Sequence, residues 1–159
     1  MIIKTYQSKK VLDILLNNEI YRASFENTDY SEKYKYLSDM LYNDDTICPI
    51  FGVCPEKSNG IKTYGRKNDT LLILDVPEEE CRFMEYYEWT DFMYFSDFCI
   101  NNNYKNINSD EITQKQYDLL IKNIIDGFAY NTYGDIFDYN QTVLKYIKPE
   151  WLINKKGDN

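Results

Sequence analysis

The chain has no histidine among its 159 residues. Histidine is the side chain that most often exchanges protons near neutral pH, and it is also the commonest metal ligand. Its absence excludes catalysis by a Ser/His/Asp or a Cys/His arrangement. No other feature of the sequence excludes as much chemistry.

Paired cysteines are also missing. The four cysteines, Cys48, Cys54, Cys81 and Cys99, form no CxxC pair, so a zinc site would need four thiolates at irregular spacing. We predict buried free thiols and no metal site.

Long apolar runs are absent too. None approaches the roughly 20 residues of a membrane span, and residues 1–7 lack the apolar region of a signal peptide. We therefore expect a cytoplasmic protein with no membrane contact. No linker or repeat divides the sequence, which predicts one globular domain over residues 1–154 and a flexible tail over residues 155–159.

Acidic residues outnumber basic ones by 26 to 18, which gives a formal charge of −8. This charge opposes attraction to phosphate backbones and anionic membranes, so direct nucleic-acid binding is not expected. It suits a protein that occupies the basic groove of a partner, although solubility alone explains most acidic proteins.

The first half of the chain predicts strands and helices in turn. Residues 1–6 predict a short strand, and Ser8 follows at an N-cap position before a helix with apolar residues at helical spacing. Residues 20–25 predict extended chain, and a second amphipathic helix is predicted over residues 31–42. Residues 48–54 are apolar enough for a buried strand or the wall of a cleft.

The second half predicts a similar mixture. The apolar run 71–76 is typical of a central strand covered on both faces. Helical spacing predicts a third helix over residues 85–99 and a fourth over residues 113–128. A strand is predicted over residues 142–147, and a turn follows at Pro149. The fold class is α+β, with a small mixed or antiparallel sheet of four or more short strands packed with about four helices.

Short matches to one bacterial family run through nearly the whole chain. They comprise Thr5 and Gln7, residues 20–23, Pro49 to Phe51, Leu72 to Pro77, the Gly-Asp-Ile-Phe-Asp of residues 134–138, Gln141 with Thr142, and Lys148 to Trp151. In this order they resemble the family catalogued as domain of unknown function 3841, mainly from Firmicutes. Trp89 matches, but Thr90 stands where the family often has histidine, and residues 134–138 lack the family's tryptophan. The resemblance implies a fold pattern and no chemistry.

The predicted order of strands and helices is also similar to that of the ADP-ribosyltransferase fold. Domains of that fold open with a strand and helix carrying Arg or His and close on a strand with a catalytic Glu. Here the closing strand has Gln141, whose neutral amide brings no negative charge to an oxocarbenium-like centre. The similarity implies binding of NAD or another nucleotide rather than transfer chemistry, with no cofactor required. It also implies that Gln7, Arg22, Trp89 and Gln141 converge, although each also suits a buried polar or packing position.

A basic loop precedes the apolar run. It carries Lys57, Lys62, Arg66 and Lys67, and its Gly60 would let backbone amides approach a phosphate. We predict that Lys62 and Arg66 clamp an anion; an ordinary solvated loop is the alternative.

An acidic and aromatic segment follows over residues 75–97. Its candidate partner-binding carboxylates lie among aromatic side chains, as a protein that engages a basic surface requires; they are Glu78, Glu79, Glu80, Glu85, Glu88 and Asp91. An ordinary helix with a solvated acidic face is the alternative.

Two functions follow as hypotheses, and neither establishes whether the protein is an enzyme. The first is a protein that binds a nucleotide or a small anion through Gln7, Arg22 and Gln141, with the basic loop as a lid. The second is a small acidic inhibitor, of the anti-defence type carried by phages or mobile elements, that mimics nucleic acid and blocks a basic groove. A structural or assembly protein is the third alternative.

Overall fold

The computed structural model describes residues 1–58, 65–85, 93 and 140–153. These residues form a mixed α+β fold with a five-stranded antiparallel sheet and two α-helices. Neither helix is long and apolar enough to cross a membrane.

The sheet joins strands that are far apart in the sequence. Its order is β3-β1-β2-β5-β4, where the strands are β1 (Ile2–Ser8), β2 (Ile50–Val53), β3 (Asp69–Asp75), β4 (Arg82–Glu85) and β5 (Asn140–Leu144). β1 pairs with β3 along its full length, and β5 lies between β2 and β4.

One face of the sheet carries the main core. Because side chains alternate along each strand, Ile3, Leu72 and Leu74 point to the same face, and all three are fully buried. Helix α1 (Lys9–Leu16) packs on this face through Val11 and Leu15, which recur at helical spacing. Since α1 is only eight residues long, this burial supplies most of its stability.

The opposite face is covered in part by helix α2 (Ser31–Tyr42). The Tyr34 ring lies 5.1 Å from the ring of Phe51 on β2. Val53 and Val143 point to this face and are buried. The helix ends at Asn43, which adopts the left-handed conformation with φ 52°.

The last described segment closes the fold over the outer side of β3. Tyr21 and Ile147 exchange two backbone hydrogen bonds of 2.9 Å, and a short 3₁₀ turn follows over Pro149–Trp151. Leu152 then bridges to Leu74, and the Ile153 amide donates to the Ile73 carbonyl at 2.9 Å. The buried Trp151 and Leu152 tie this segment to the main core.

Several predictions of local structure are confirmed. The first strand, both helices of the first half, the strand within residues 48–54 and the turn at Pro149 are present. Of the roughly four helices that were predicted, the structure supports two. The predicted third and fourth helices lie outside the described residues, except for Glu85 and Met93. Glu85 belongs to β4, a strand that the sequence did not predict.

The prediction of a central position for the apolar run is wrong for the described sheet. β3 lies at its edge, with β1 on one side and only the Leu152–Ile153 segment on the other. The run is apolar because Leu72 and Leu74 enter the main core while Leu71 and Ile73 are half-buried on the opposite face.

We expect Gly52→Ala to destabilise the sheet. A Cβ at this position would lie 2.9 Å from Ile3 Cγ2 and 3.0 Å from the Lys4 carbonyl oxygen, which belongs to the backbone and cannot rotate away. The free energy of unfolding should fall by about 1 to 3 kcal/mol, measured by urea denaturation. Ser8→Ala is the control, because the exposed Ser8 side chain makes no capping bond. Equal effects of the two substitutions would contradict the steric account.

Candidate functional site

An open cleft of about 320 Å³ lies on the sheet face opposite the main core. Three strands supply its floor: Lys4 and Tyr6 from β1, Phe51 from β2 and Gln141 from β5. These side chains share the face because Lys4 pairs with Val53, and Val53 pairs with Gln141.

The segment from Gly65 to Asp69 forms the rim of the cleft. Asp69 Oδ2 accepts a hydrogen bond of 2.8 Å from the Arg66 amide, and the Asp69 amide donates to the Arg66 carbonyl at 2.9 Å. Gly65 lies directly on the Tyr6 ring, so that a Cβ there would overlap the ring atoms. The close approach of this backbone to β1 holds Arg66 beside the cleft.

The cleft combines positive charge with aromatic surface. Lys4 and Arg66 carry cationic groups, Gln141 carries a neutral amide, and Asp69 is the one carboxylate in the described lining. The Phe51 ring continues into an aromatic row, because Tyr34 packs against it and Tyr30 lies 5.9 Å from Tyr34. Desolvation by burial raises the pKa of Tyr34. Such a lining can hold an anion that carries a planar ring.

The structure brings two of the predicted ligand-binding residues together, Arg66 and Gln141. Gln7 points to the opposite face of β1, where its Nε2 donates to Thr5 Oγ1 at 2.9 Å. Thr5 Oγ1 donates in turn to the Phe51 carbonyl at 2.7 Å, so Gln7 supports the sheet beneath the cleft. Lys62 and Trp89, predicted at the same site, lie outside the described residues.

Arg22 belongs to a separate cluster. Its guanidinium carbon lies 5.0 Å from the centroid of the Tyr146 ring, which stacks on Trp151 at 5.6 Å. The Tyr146 hydroxyl donates to the Glu80 carboxylate, with 2.9 and 3.0 Å to its two oxygens. This hydrogen bond is the main cause of the raised pKa of Tyr146. The structure therefore does not bring Arg22 to the cleft.

The structure describes some of the carboxylates that were predicted to bind a partner. Glu78 and Glu79 are exposed on a 3₁₀ turn, whereas the Glu80 carboxylate is engaged by Tyr146. Glu85 ends β4, and Glu88 and Asp91 lie outside the described residues. Among the described side chains of the predicted acidic surface, Glu78 and Glu79 are exposed, and Glu80 accepts a hydrogen bond from Tyr146.

Lys4, Tyr6 and Phe51 were not among the predicted site residues. The local signal for the first two was available, since alternation along β1 places Lys4 and Tyr6 on the face opposite Ile3 and Thr5. The signal for Phe51 was not, because its position beside Tyr6 depends on the pairing of β1 with β2, about 45 residues apart.

Three cysteines confirm the prediction of free buried thiols: Cys48, Cys54 and Cys81. Desolvation raises the pKa of each, and that of Cys81 to about 12. Cys99 lies outside the described residues. Among the residues that the structure describes, no group of three or more potential metal ligands is found.

Comparison of the chain with family models, curated proteins and solved structures finds no match in any of the three. The resemblances to the domain of unknown function 3841 and to the ADP-ribosyltransferase fold stay predictions.

We expect two buried threonines beneath the cleft to respond in opposite ways to valine. Thr5→Val removes the bonds to Phe51 and Gln7 and should lower the free energy of unfolding by about 1 to 3 kcal/mol, because buried polar groups lose their partner. Thr142 lies on the same face beyond Gly52, and its buried hydroxyl has no hydrogen-bond partner among the described residues. Thr142→Val should therefore be neutral or stabilising. Urea denaturation measures both, and a larger loss for Thr142→Val would contradict the assignment.

Cys81 should resist alkylation in the folded protein. The thiolate is the reactive form, and a pKa raised to about 12 keeps the thiol protonated until the pH approaches that value. At pH 8, iodoacetamide labelling followed by peptide mass spectrometry should modify Cys81 at least ~100-fold more slowly in native buffer than in urea. Labelling at similar rates in both conditions would show that Cys81 is accessible.

The raised pKa of Cys81 also predicts a dependence of stability on pH. The free energy of unfolding should fall as the pH rises from about 9, the ordinary pKa of the thiol, to about 12, because only the unfolded chain deprotonates readily in that range.

Proposed function

We propose that this protein binds a nucleotide or another small anion in the cleft over β1, β2 and β5. The observation that supports this proposal is the placement of Lys4, Arg66 and Gln141 around one cleft whose floor includes aromatic side chains. The chain as a whole has a net charge of −8, so a local pair of cations is a departure from the prevailing charge. It provides a local attraction for a negative group.

The volume of the cleft limits the size of the ligand. Small-molecule pockets span about 300 to 1,000 Å³, and the cleft has about 320 Å³ as lined by the described residues. This volume favours a mononucleotide or a simpler anion over a dinucleotide such as NAD.

Each lining group has a distinct role in this proposal. The Arg66 guanidinium offers two parallel N–H donors to a phosphate, and the Lys4 ammonium adds a second positive charge. The Gln141 amide supplies a neutral donor and acceptor for a sugar or base. The Phe51 ring offers apolar surface on which a base can stack.

The proposal is binding without group transfer. β5 presents Gln141 and Thr142, with no carboxylate in its sequence. The one carboxylate in the described lining, Asp69, already accepts the Arg66 amide. The proposal includes the preference for a nucleotide and the similarity of this fold to the ADP-ribosyltransferase fold. We also place the protein in the cytoplasm, where free thiols such as the three buried ones persist.

The acidic-inhibitor hypothesis draws less support from the described residues. Its surface there comprises the exposed Glu78 and Glu79, because the Glu80 carboxylate is held by Tyr146. A protein that only mimicked nucleic acid would have no use for the cationic cleft. The ligand-binding experiment therefore separates the two hypotheses.

The proposal predicts that nucleotides raise the thermal midpoint of the protein, because a ligand that binds only the folded state stabilises it. Screening should include AMP, ADP, ADP-ribose, NAD, inorganic phosphate and uncharged adenosine. For the best ligand, Lys4→Ala and Arg66→Ala should each raise the calorimetric Kd by about 10- to 100-fold, since each removes a hydrogen bond to a charged group.

Lys10→Ala is the matched control. Lys10 is exposed on α1, away from the cleft, and its loss changes the net charge by the same amount. Its Kd should equal that of the unmodified protein. The absence of a thermal shift with every anion would refute the proposal, as would equal losses of affinity in all three variants.

A further inference from the structure

The cationic cleft also contains a carboxylate, that of Asp69. Asp69 pairs with Ser8 on β1, and alternation along the two strands places its side chain on the same sheet face as Lys4 and Tyr6. It lines the cleft and is half-buried there. Its Oδ2 accepts the Arg66 amide at 2.8 Å, whereas its Oδ1 has no hydrogen-bond partner among the described residues. The carboxylate therefore keeps one acceptor for a ligand.

This carboxylate belongs to the same turn as one of the two cations. The Arg66 amide donates to Asp69, and the Asp69 amide donates back to the Arg66 carbonyl at 2.9 Å, so the backbone holds the two residues together. In the described part of the chain, no ion pair joins Asp69 to Arg66 or to Lys4. Two positive charges and one negative charge thus leave this lining with a net positive charge.

The charges limit the kind of group that Asp69 can bind. A carboxylate only accepts hydrogen bonds, so the ligand has to supply a donor. Lys4 and Arg66 would repel an ammonium group, which favours a neutral donor such as a hydroxyl. The same two cations attract an anionic group. The cleft therefore suits a molecule that carries a hydroxyl close to an anion.

A ribonucleotide carries both groups close together. Its phosphate is attached to the ribose, which presents two neighbouring hydroxyls, and the N–H groups of its base lie beyond the ribose. If Arg66 binds the phosphate, the ribose is the nearest donor-bearing part of the ligand to Asp69, because both residues belong to one turn. Carboxylates bind ribose hydroxyls in dinucleotide-binding sites on other folds.

We propose that Asp69 accepts a hydrogen bond from a ribose hydroxyl and thereby makes the cleft specific for ribonucleoside monophosphates. This specificity rests on the anion binding proposed above, which depends on Lys4 and Arg66 and does not require Asp69. A nucleotide without sugar hydroxyls would leave the free oxygen of Asp69 facing the ligand without a donor, which weakens binding. Asp69 is thus the residue that distinguishes ribonucleotides from other anions.

Calorimetric titration of the unmodified full chain tests this specificity. The probes are AMP, GMP, CMP and UMP, the 2′,3′-dideoxy counterpart of whichever binds most tightly, and inorganic phosphate. We expect the dideoxy compound to bind about 10- to 100-fold more weakly than the ribonucleotide, because it lacks a hydrogen bond to a charged group.

Asp69→Asn separates the hydrogen bond from the charge. Asparagine keeps one oxygen for the Arg66 amide but replaces the other acceptor with an NH₂ group. Because the cleft loses a negative charge, the Kd for the dideoxy compound and for inorganic phosphate should stay equal or fall. The preference for the ribonucleotide over the dideoxy compound should shrink to within about threefold. A purely structural role of Asp69 would instead weaken both ligands alike and preserve their ratio.

Asp13→Asn is the matched control. Asp13 is exposed on α1, away from the cleft, and the substitution removes the same charge. The preference for the ribonucleotide should equal that of the unmodified protein. Circular dichroism checks that both variants are folded; if Asp69→Asn is not, the two ligands on the unmodified protein decide the outcome.

The results distinguish this proposal from the one on which it rests. Equal affinities of the unmodified protein for the ribonucleotide and the dideoxy compound would overturn the role of Asp69 and leave anion binding intact. A preference that Asp69→Asn leaves unchanged would do the same. If no probe binds, inorganic phosphate included, both proposals are overturned.

Discussion

The backbone hydrogen bonds of β1 hold the described parts of this molecule together. β1 pairs with β3 at every residue from Ile2 to Ser8 and contacts β2 on its other side. β2 in turn carries β5, and β5 carries β4, so the whole sheet grows outward from this strand. The same seven residues run directly into α1, which then folds back on the core face through Val11 and Leu15.

Alternation along β1 divides the molecule into two environments. Ile3 and Thr5 are directed into the main core, where apolar burial at roughly 25 cal/mol per Å² supplies most of the stability. Lys4 and Tyr6, between and beyond them, are directed to the cleft. A shift of the strand pairing by one residue would exchange these roles. Gly52 lets β1 and β2 pack closely next to Ile3.

The sequence predicted the elements whose cause is local. Helix α2 was predicted over residues 31–42 and is found at Ser31–Tyr42, because its apolar spacing and its position after a turn are properties of that stretch alone. The site was predicted in part. Arg66 and Gln141 meet at the cleft, but Gln7 lies on the other face, since the two-residue period of β1 groups it with Ile3 and Thr5. The contact of Gln141 with β2 and the strand β4 depend on pairings between distant segments, which no local pattern contains.

The place of β5 in the sheet has a consequence for how the chain is made. On the ribosome β1, β2, β3 and β4 are synthesised first, yet β2 and β4 have β5 between them in the finished sheet. Until residues 140–144 emerge, β2 and β4 lack the strand that joins them in the described sheet, and unpaired strand edges are prone to association with other chains. The pairing of β5 with β2 is also a slow step, because the two strands are distant in the sequence and such pairings delay folding. A nascent chain of this protein therefore depends on β5 to cover the edges at which β2 and β4 pair with it in the described sheet.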